Sequence, residues 1–269
     1  MPTPLKDIEC FVFDMDGTIN LGDSLIPGAL ELIEELRQSG TQFFFFTNNS
    51  SRSPLAYVEK LTRLGFSGMD LSHIVTSGDV TIHYLQTHFE NPAIYLAGTP
   101  SLEEQFKKAG ITLLEPDTPA ADAVVIGFDT TFDFKKADAA CRLIAAGTPF
   151  LATNIDRVCP LEGGAFLPDC GSMCAMLTHA TGVKAKFLGK PAKETVDYIL
   201  ARAGTPPEKT AMVGDRLYTD IATAVNGGIV GIAVLSGEIS QKDIDESPIC
   251  PDYTLDSVAD ILSAIRRTR

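Results

Sequence analysis

Basic residues are scarce in this chain: 22 Lys and Arg stand against 35 Asp and Glu, for a net charge of -13. A nucleic-acid or anionic-membrane surface wants a basic face, so the balance argues against both. An anionic substrate would need local help from a bound cation or a basic cluster. No apolar run approaches the ~18 residues of a membrane-crossing helix. The opening Met1-Pro-Thr-Pro-Leu-Lys-Asp7 has no basic stretch leading into an apolar segment, so no secretory signal is expected. The four histidines are dispersed and suggest no site. Six cysteines are scattered; Cys170 and Cys174 lie four apart but lack a second pair or nearby histidines to complete a zinc site. The expectation is six reduced thiols in a cytoplasmic protein. No Gly-x-x-x-x-Gly-Lys-Ser/Thr loop occurs, because Lys190 is followed by Pro191. A Gly-x-Ser-x-Gly elbow and a dinucleotide fingerprint are also missing.

What is present is a regular alternation. The length, 269 residues, suits one large domain or two modest ones. Residues 27–39 read as a helix with Leu30, Ile33 and Leu36 on one face, stopping at Gly40. Residues 42–46, Gln-Phe-Phe-Phe-Phe, read as a strand buried on both faces, ending in Thr47-Asn-Asn-Ser50. Short strands joined by helices of this kind imply βαβ units and a parallel sheet. From about Asn91 strands at 93–97, 123–128 and 149–152 alternate with helices at 102–109 and 134–146, with prolines and glycines marking loops up to Pro168. After Lys186 the opening style returns, with strands at 210–213 and 229–235 and a last helix at 255–265.

One stretch poses a question. Phe11-Val-Phe-Asp-Met-Asp-Gly-Thr18 runs an apolar strand directly into Asp14 and Asp16, and Gly17 then turns the chain. Like charges this close need compensation, by a solvated turn, a salt bridge or a metal. Alone, the stretch favours the plain turn. Other strand ends look similar, however: Thr47 and Asn48 after the second strand, and Asp215 and Asp220 after a late one, with Lys190 just before a helix. In a parallel α/β sheet the carboxyl ends of the strands share one edge, and ligands bind in the crevice there.

In order, Asp14-Met-Asp-Gly-Thr18, Thr47-Asn48, Gly189-Lys-Pro191 and Gly214-Asp-Arg-Leu-Tyr-Thr-Asp220 resemble the four motifs of the haloacid-dehalogenase-like phosphatases. The placement of the remaining segment is similar to the 4-nitrophenylphosphatase branch, which includes nucleotide, sugar-phosphate and phosphoglycolate phosphatases. The resemblance implies a doubly wound, mostly parallel α/β core over residues 1–80 and 185–269, with an α/β cap inserted at 81–184. It implies a Mg²⁺-dependent phosphatase acting on a small phosphomonoester, with no nucleic-acid or membrane partner, and it leaves open a homo-oligomer formed through the cap.

In that family pattern Asp14 is the nucleophile, forming an aspartyl-phosphate, and Asp16 protonates the leaving oxygen and then activates water. Asp14, the backbone carbonyl of Asp16 and Asp215 hold the metal, because hard oxygen ligands around a phosphate favour Mg²⁺. Thr47, Asn48 and Lys190 bind the phosphoryl group, and Asp220 holds Lys190 or supports the metal through water. Asn154 and Asp156, in the segment Thr153-Asn-Ile-Asp-Arg157, are the candidates for choosing the leaving group. For Arg157 a plain surface loop is an equally good reading. The rival readings are a receiver domain with a phosphorylatable Asp, a dehalogenase or phosphate-transferring ATPase of the same superfamily, and a phosphomutase or phosphotransferase sharing the intermediate. A receiver is about half this length and carries its acceptor after a middle strand. An ATPase typically has Thr where Asp16 stands, and a dehalogenase has no need of an acid there.

Overall fold

The computed structural model describes residues 2–266. The chain divides into two compact units: residues 1–47, 54–75 and 190–269 form the first, and 48–53 and 76–189 the second. Each is a parallel α/β unit.

The sheet of the first unit runs in the order Tyr253–Leu255, Val230–Val234, Thr210–Gly214, Cys10–Asp14, Gln42–Thr47, Ile74–Thr76. Cys10–Asp14 pairs in parallel with a neighbour on each side, Phe11 facing Ala211 on one and Phe43 on the other. From this strand the chain first moves outward to Gln42–Thr47, and only later builds the other side from Thr210 onward. The strand order therefore reverses beside Asp14, which marks the ligand crevice of such sheets. Strands buried on both faces need apolar side chains throughout, and Phe11, Phe13, Phe45, Val213 and Ile232 form one core with the helical residues Leu32, Ile33, Leu36 and Ile261. In the helix Ala29–Ser39, Ala29, Leu32, Ile33 and Leu36 face inward, while Leu30 is exposed. The expected stripe was thus displaced at its start, because Leu32 takes the inward position.

The second unit has a five-stranded parallel sheet in the order Lys186–Phe187, Phe150–Ala152, Ala123–Ile126, Ala93–Ala97, Thr112–Leu113. Its core gathers Tyr95, Val124, Ile126, Leu143, Ile144 and Leu177. The proline-punctuated loop region contains an antiparallel hairpin, Val158–Pro160 with Phe166–Pro168, and the helix Cys170–Thr181 capped by Asp169. Lys186–Phe187 pairs with Phe150–Ala152, so this segment closes the second sheet instead of opening the last part of the first. All six cysteines are free thiols, and Cys10, Cys170 and Cys174 are buried. Among the described residues no helix is long and apolar enough to cross a membrane.

Candidate active site

Every residue of the strand Cys10–Asp14 is buried, so its last side chain, Asp14, enters the sheet edge from a dry interior. Phe46 stands beside Asp14 in register, which places Thr47 one residue beyond it on the same edge. On the other side Thr210–Gly214 delivers Asp215. The chain then winds as a π-helix over Leu217–Ile221, a wide turn often found at functional sites, and this brings Asp220 back beneath Gly214.

Lys190 ties these strand ends together. Its Nζ donates to Asp14 Oδ1 at 2.5 Å and to Asp220 Oδ1 at 2.7 Å, and lies 5.1 Å from the centre of the Phe46 ring. Asp220 Oδ2 accepts from the backbone N–H of Arg216 at 3.1 Å. Asp215 Oδ2 accepts from Glu238 N at 2.8 Å, and Thr18 Oγ1 donates to its other oxygen at 3.5 Å. Asp215 is seated tightly: a Cβ on Gly17, whose φ is +96°, would lie 2.0 Å from Oδ2, and one on Gly237 1.9 Å from it. Neither glycine can carry a side chain.

The electrostatics are lopsided. Burial works against the Lys190 ammonium, but Asp14 and Asp220 outweigh it and hold Lys190 above its usual range. Burial pushes the Asp220 carboxyl up, while Lys190 pulls it down. These tendencies conflict, since an ion pair favours the charged form of both partners. The direct contact decides: an ammonium 2.7 Å away favours the ionised form of Asp220. Asp215 is pushed up by burial and then by the charge of Asp14. Asp14 and Asp220 also raise the Arg216 guanidinium, whose cation thus faces the same cluster.

Ligand oxygens of Asp14, Asp215 and Asp220 all lie within 4.8 Å of one another. Asp220 is bound directly to the Lys190 ammonium, whereas Asp215 has only a backbone N–H and a long hydroxyl contact and feels the charge of Asp14, which makes Asp14 and Asp215 the pair least compensated by a cation. Two buried carboxylates so placed fit a hard divalent ion.

The carboxylate of Asp16 is elsewhere. It is 61% exposed and accepts from Asn20 Nδ2 at 2.6 Å and Lys60 Nζ at 3.0 Å. The structure thus brings together Asp14, Lys190, Asp215 and Asp220, and sets the side chain of Asp16 apart from them. The sequence reading missed Arg216, Lys60 and Asn20. Arg216 directly follows Asp215 and was visible as a cation inside a motif, whereas Lys60 lies in a helix with no local signal.

Asn48, Asn154 and Asp156 belong to the second unit. Asn48 Nδ2 donates to Asp156 Oδ2 at 2.8 Å, and Asn154 Nδ2 donates to the same oxygen at 3.0 Å. Asn154 is fully buried, with its amide also bonded to Asp169 and Thr153.

Residues 11–112 match the family of haloacid dehalogenase-like hydrolases, and residues 187–261 match a second description of the same group, HAD-hydrolase-like. The chain is 32% identical to a glycerol-3-phosphate phosphatase of Homo sapiens over 97% of its length and 92% of the relative's. The chain belongs to the haloacid dehalogenase-like hydrolases. Among solved structures of this family, a 4-nitrophenylphosphatase from Thermotoga maritima superposes with a TM-score of 0.91 at 39% identity, covering 97% of this chain and 98% of the other. A glycerol phosphate phosphatase from Mycobacterium tuberculosis, in complex with calcium, gives a TM-score of 0.89 at 30% identity, with 96% and 76% covered. Like these haloacid dehalogenase-like relatives, the chain is a phosphoric monoester hydrolase, and its acidic cluster suits the divalent metal that such phosphatases use.

Proposed function

We propose that the protein hydrolyses a small phosphomonoester through an aspartyl-phosphate on Asp14, with Mg²⁺ bound by Asp14, Asp215 and the backbone carbonyl of Asp16. The observation that carries this reading is Asp14 itself: a buried carboxylate at the strand-order reversal, in direct contact with a buried lysine and facing a second buried carboxylate. When bound, the cation neutralises charge on both the carboxylates and the phosphate.

An oxygen of Asp14 attacks phosphorus as the bond to the leaving oxygen breaks. Lys190 and the Thr47 hydroxyl stabilise the phosphoryl oxygens, and Asp220 holds Lys190 in place from the far side. Asp16 supplies a proton to the leaving oxygen. To do so it has to leave Lys60 and Asn20, which hold it as the carboxylate, and carry a proton as the neutral carboxylic acid. Asp16 then removes a proton from the water that attacks phosphorus, which returns Asp14 and releases phosphate. On this reading the second unit acts as a cap and supplies the leaving-group contacts, with the half-buried Asp156 as the candidate residue. The substrate class is the one the relatives' names share, a small phosphate ester such as a glycerol or sugar phosphate.

The test is hydrolysis of 4-nitrophenyl phosphate by the purified protein with Mg²⁺ and with excess chelator. Turnover with Mg²⁺ and its loss in chelator are expected. Equal rates in the two would remove the metal from the proposal.

A further inference from the structure

The chain crosses between its two units at four peptide bonds, and two of these lie directly beside the groups proposed to bind the phosphoryl oxygens. Thr47 belongs to the first unit and Asn48 to the second; Gly189 belongs to the second and Lys190 to the first. What holds Asn48 and Gly189 therefore holds the residues bonded directly to Thr47 and Lys190.

Inside the second unit these two residues are clamped by one polar network. Gly189 N donates to Thr153 O at 2.8 Å, and a Cβ on Gly189 would lie 2.4 Å from that oxygen and 2.7 Å from Asn48 Oδ1. The backbone carbonyl of Asn48 accepts from Ser77 Oγ at 2.6 Å. Its side-chain amide donates to Asp156, whose same oxygen is held by Asn154. Asn154 is oriented at both ends, accepting from Thr153 Oγ1 at 2.9 Å and donating to Asp169 Oδ1 at 3.1 Å. Asp169 is buried and also caps the helix Cys170–Thr181, its Oδ1 accepting from Cys170 N at 2.5 Å.

Helix capping alone does not require a buried carboxylate. Ser is an equally good N-cap and is far cheaper to bury than a charge. Burial pushes the Asp169 carboxyl up to about 6, with the Asn154 and Cys170 hydrogen bonds acting against that rise and the nearby Asp156 adding to it. A buried acceptor aimed at a buried amide is the expected form of a group that orients its neighbour.

We propose that Asp169 is a positioning residue for phosphoryl transfer, acting through Asn154, Asp156 and Asn48 on the segments that carry Thr47 and Lys190. The inference rests on the phosphatase reading above and extends it to a residue that touches neither substrate nor metal.

The test compares Asp169→Ser with Asp169→Asn in the full-length protein, assayed with 4-nitrophenyl phosphate and Mg²⁺ well below each melting midpoint. Ser keeps a helix cap but is too short to reach Asn154; Asn keeps the Oδ1 acceptor. The serine variant should lose about tenfold in kcat/KM, the scale of effects from groups that orient a site, while the asparagine variant stays within about twofold. Asn154→Ser cuts the same relay at its next member and should reproduce the loss, which covers the case of an Asp169→Ser chain that does not fold. Full activity of a folded Asp169→Ser or Asn154→Ser protein would overturn the inference, as would equal impairment of Asp169→Asn and Asp169→Ser. Asp14→Asn separates the two levels. If it is inactive while the Asp169 and Asn154 variants are normal, only the positioning role fails. If it turns over, the aspartyl-phosphate reading fails.

Discussion

Each unit places a lysine against a buried aspartate at the carboxyl end of its parallel sheet, and the two pairs are built differently. In the second unit Lys136 Nζ donates to Asp129 Oδ2 at 2.6 Å, to Gly98 O at 2.9 Å and to Thr131 Oγ1 at 2.9 Å, and Asp129 Oδ1 is filled by Thr131. One ammonium meets one carboxylate, and each of its three protons has an acceptor. In the first unit Lys190 meets two carboxylates, and a third, Asp215, faces Asp14 with its carboxyl raised by burial and that neighbour. The lesson concerns charge balance. A balanced buried pair locks a loop, whereas a surplus of buried carboxylate is costly unless a cation offsets it, which suits a divalent metal at this site.

The largest effect should come from the surplus itself. Asp14→Asn is expected to lower turnover of 4-nitrophenyl phosphate by at least about a thousandfold while the melting transition remains cooperative, because an amide cannot serve as nucleophile. Substantial steady turnover would refute the covalent route.

The lysines sharpen the comparison directly. Lys190→Met leaves Asp14 and Asp220 buried without their cation and should destabilise the protein by about 3–5 kcal/mol in the absence of metal, together with a severe loss of kcat/KM. Lys136→Met should also lower the melting midpoint, by less because Lys136 is partly exposed, yet leave kcat/KM unchanged below it. Equal catalytic damage from the two would erase the distinction between the two pairs.

A smaller effect separates the amide network from the charged site. Asp169 titrates near 6 when folded against 3.8 in its unperturbed state. Between these values the folded protein holds the extra proton, so this group's contribution to stability falls as pH rises from about 4 to about 6 and is level above that. Asp169→Asn removes the dependence. Relative to the parent it should gain stability across that window, on the order of 2–3 kcal/mol at most, as read from urea midpoints at several pH values. Parallel curves for the two proteins would show that burial does not shift this carboxyl.

The smallest effect concerns selection. Asp156→Ala should change the ranking among phosphate esters of different alcohols more than it changes the rate with 4-nitrophenyl phosphate, whose leaving group needs little help. An unchanged ranking across a panel of esters would leave Asp156 with the anchoring of Asn48 as its remaining function.

Much of this molecule was legible from local pattern. Apolar runs such as Phe11-Val-Phe13 and Phe43–Phe46 can be satisfied only in strands covered on both faces, and polar residues directly after such strands must leave the sheet at a common edge. That reasoning, with the motif resemblance, led to Asp14, Lys190, Asp215 and Asp220. Long-range partners were not legible, because hydrogen bonding and burial depend on residues distant in sequence. Nothing near Lys60 announces that it holds Asp16, 44 positions away. Nothing near Asn154 announces that it is fully buried and spent on Thr153, Asp156 and Asp169. The edge of the second sheet was not legible for the same reason: Lys186–Phe187 is two residues long, too short for any periodicity, and acquires its strand character only by pairing with Phe150–Ala152. The sequence by itself determined the elements and the kinds of group at their ends. Only the tertiary structure decided which carboxylates share a cation and which share an amide, because a charge is stabilised by what surrounds it in space and not by what precedes it in the chain.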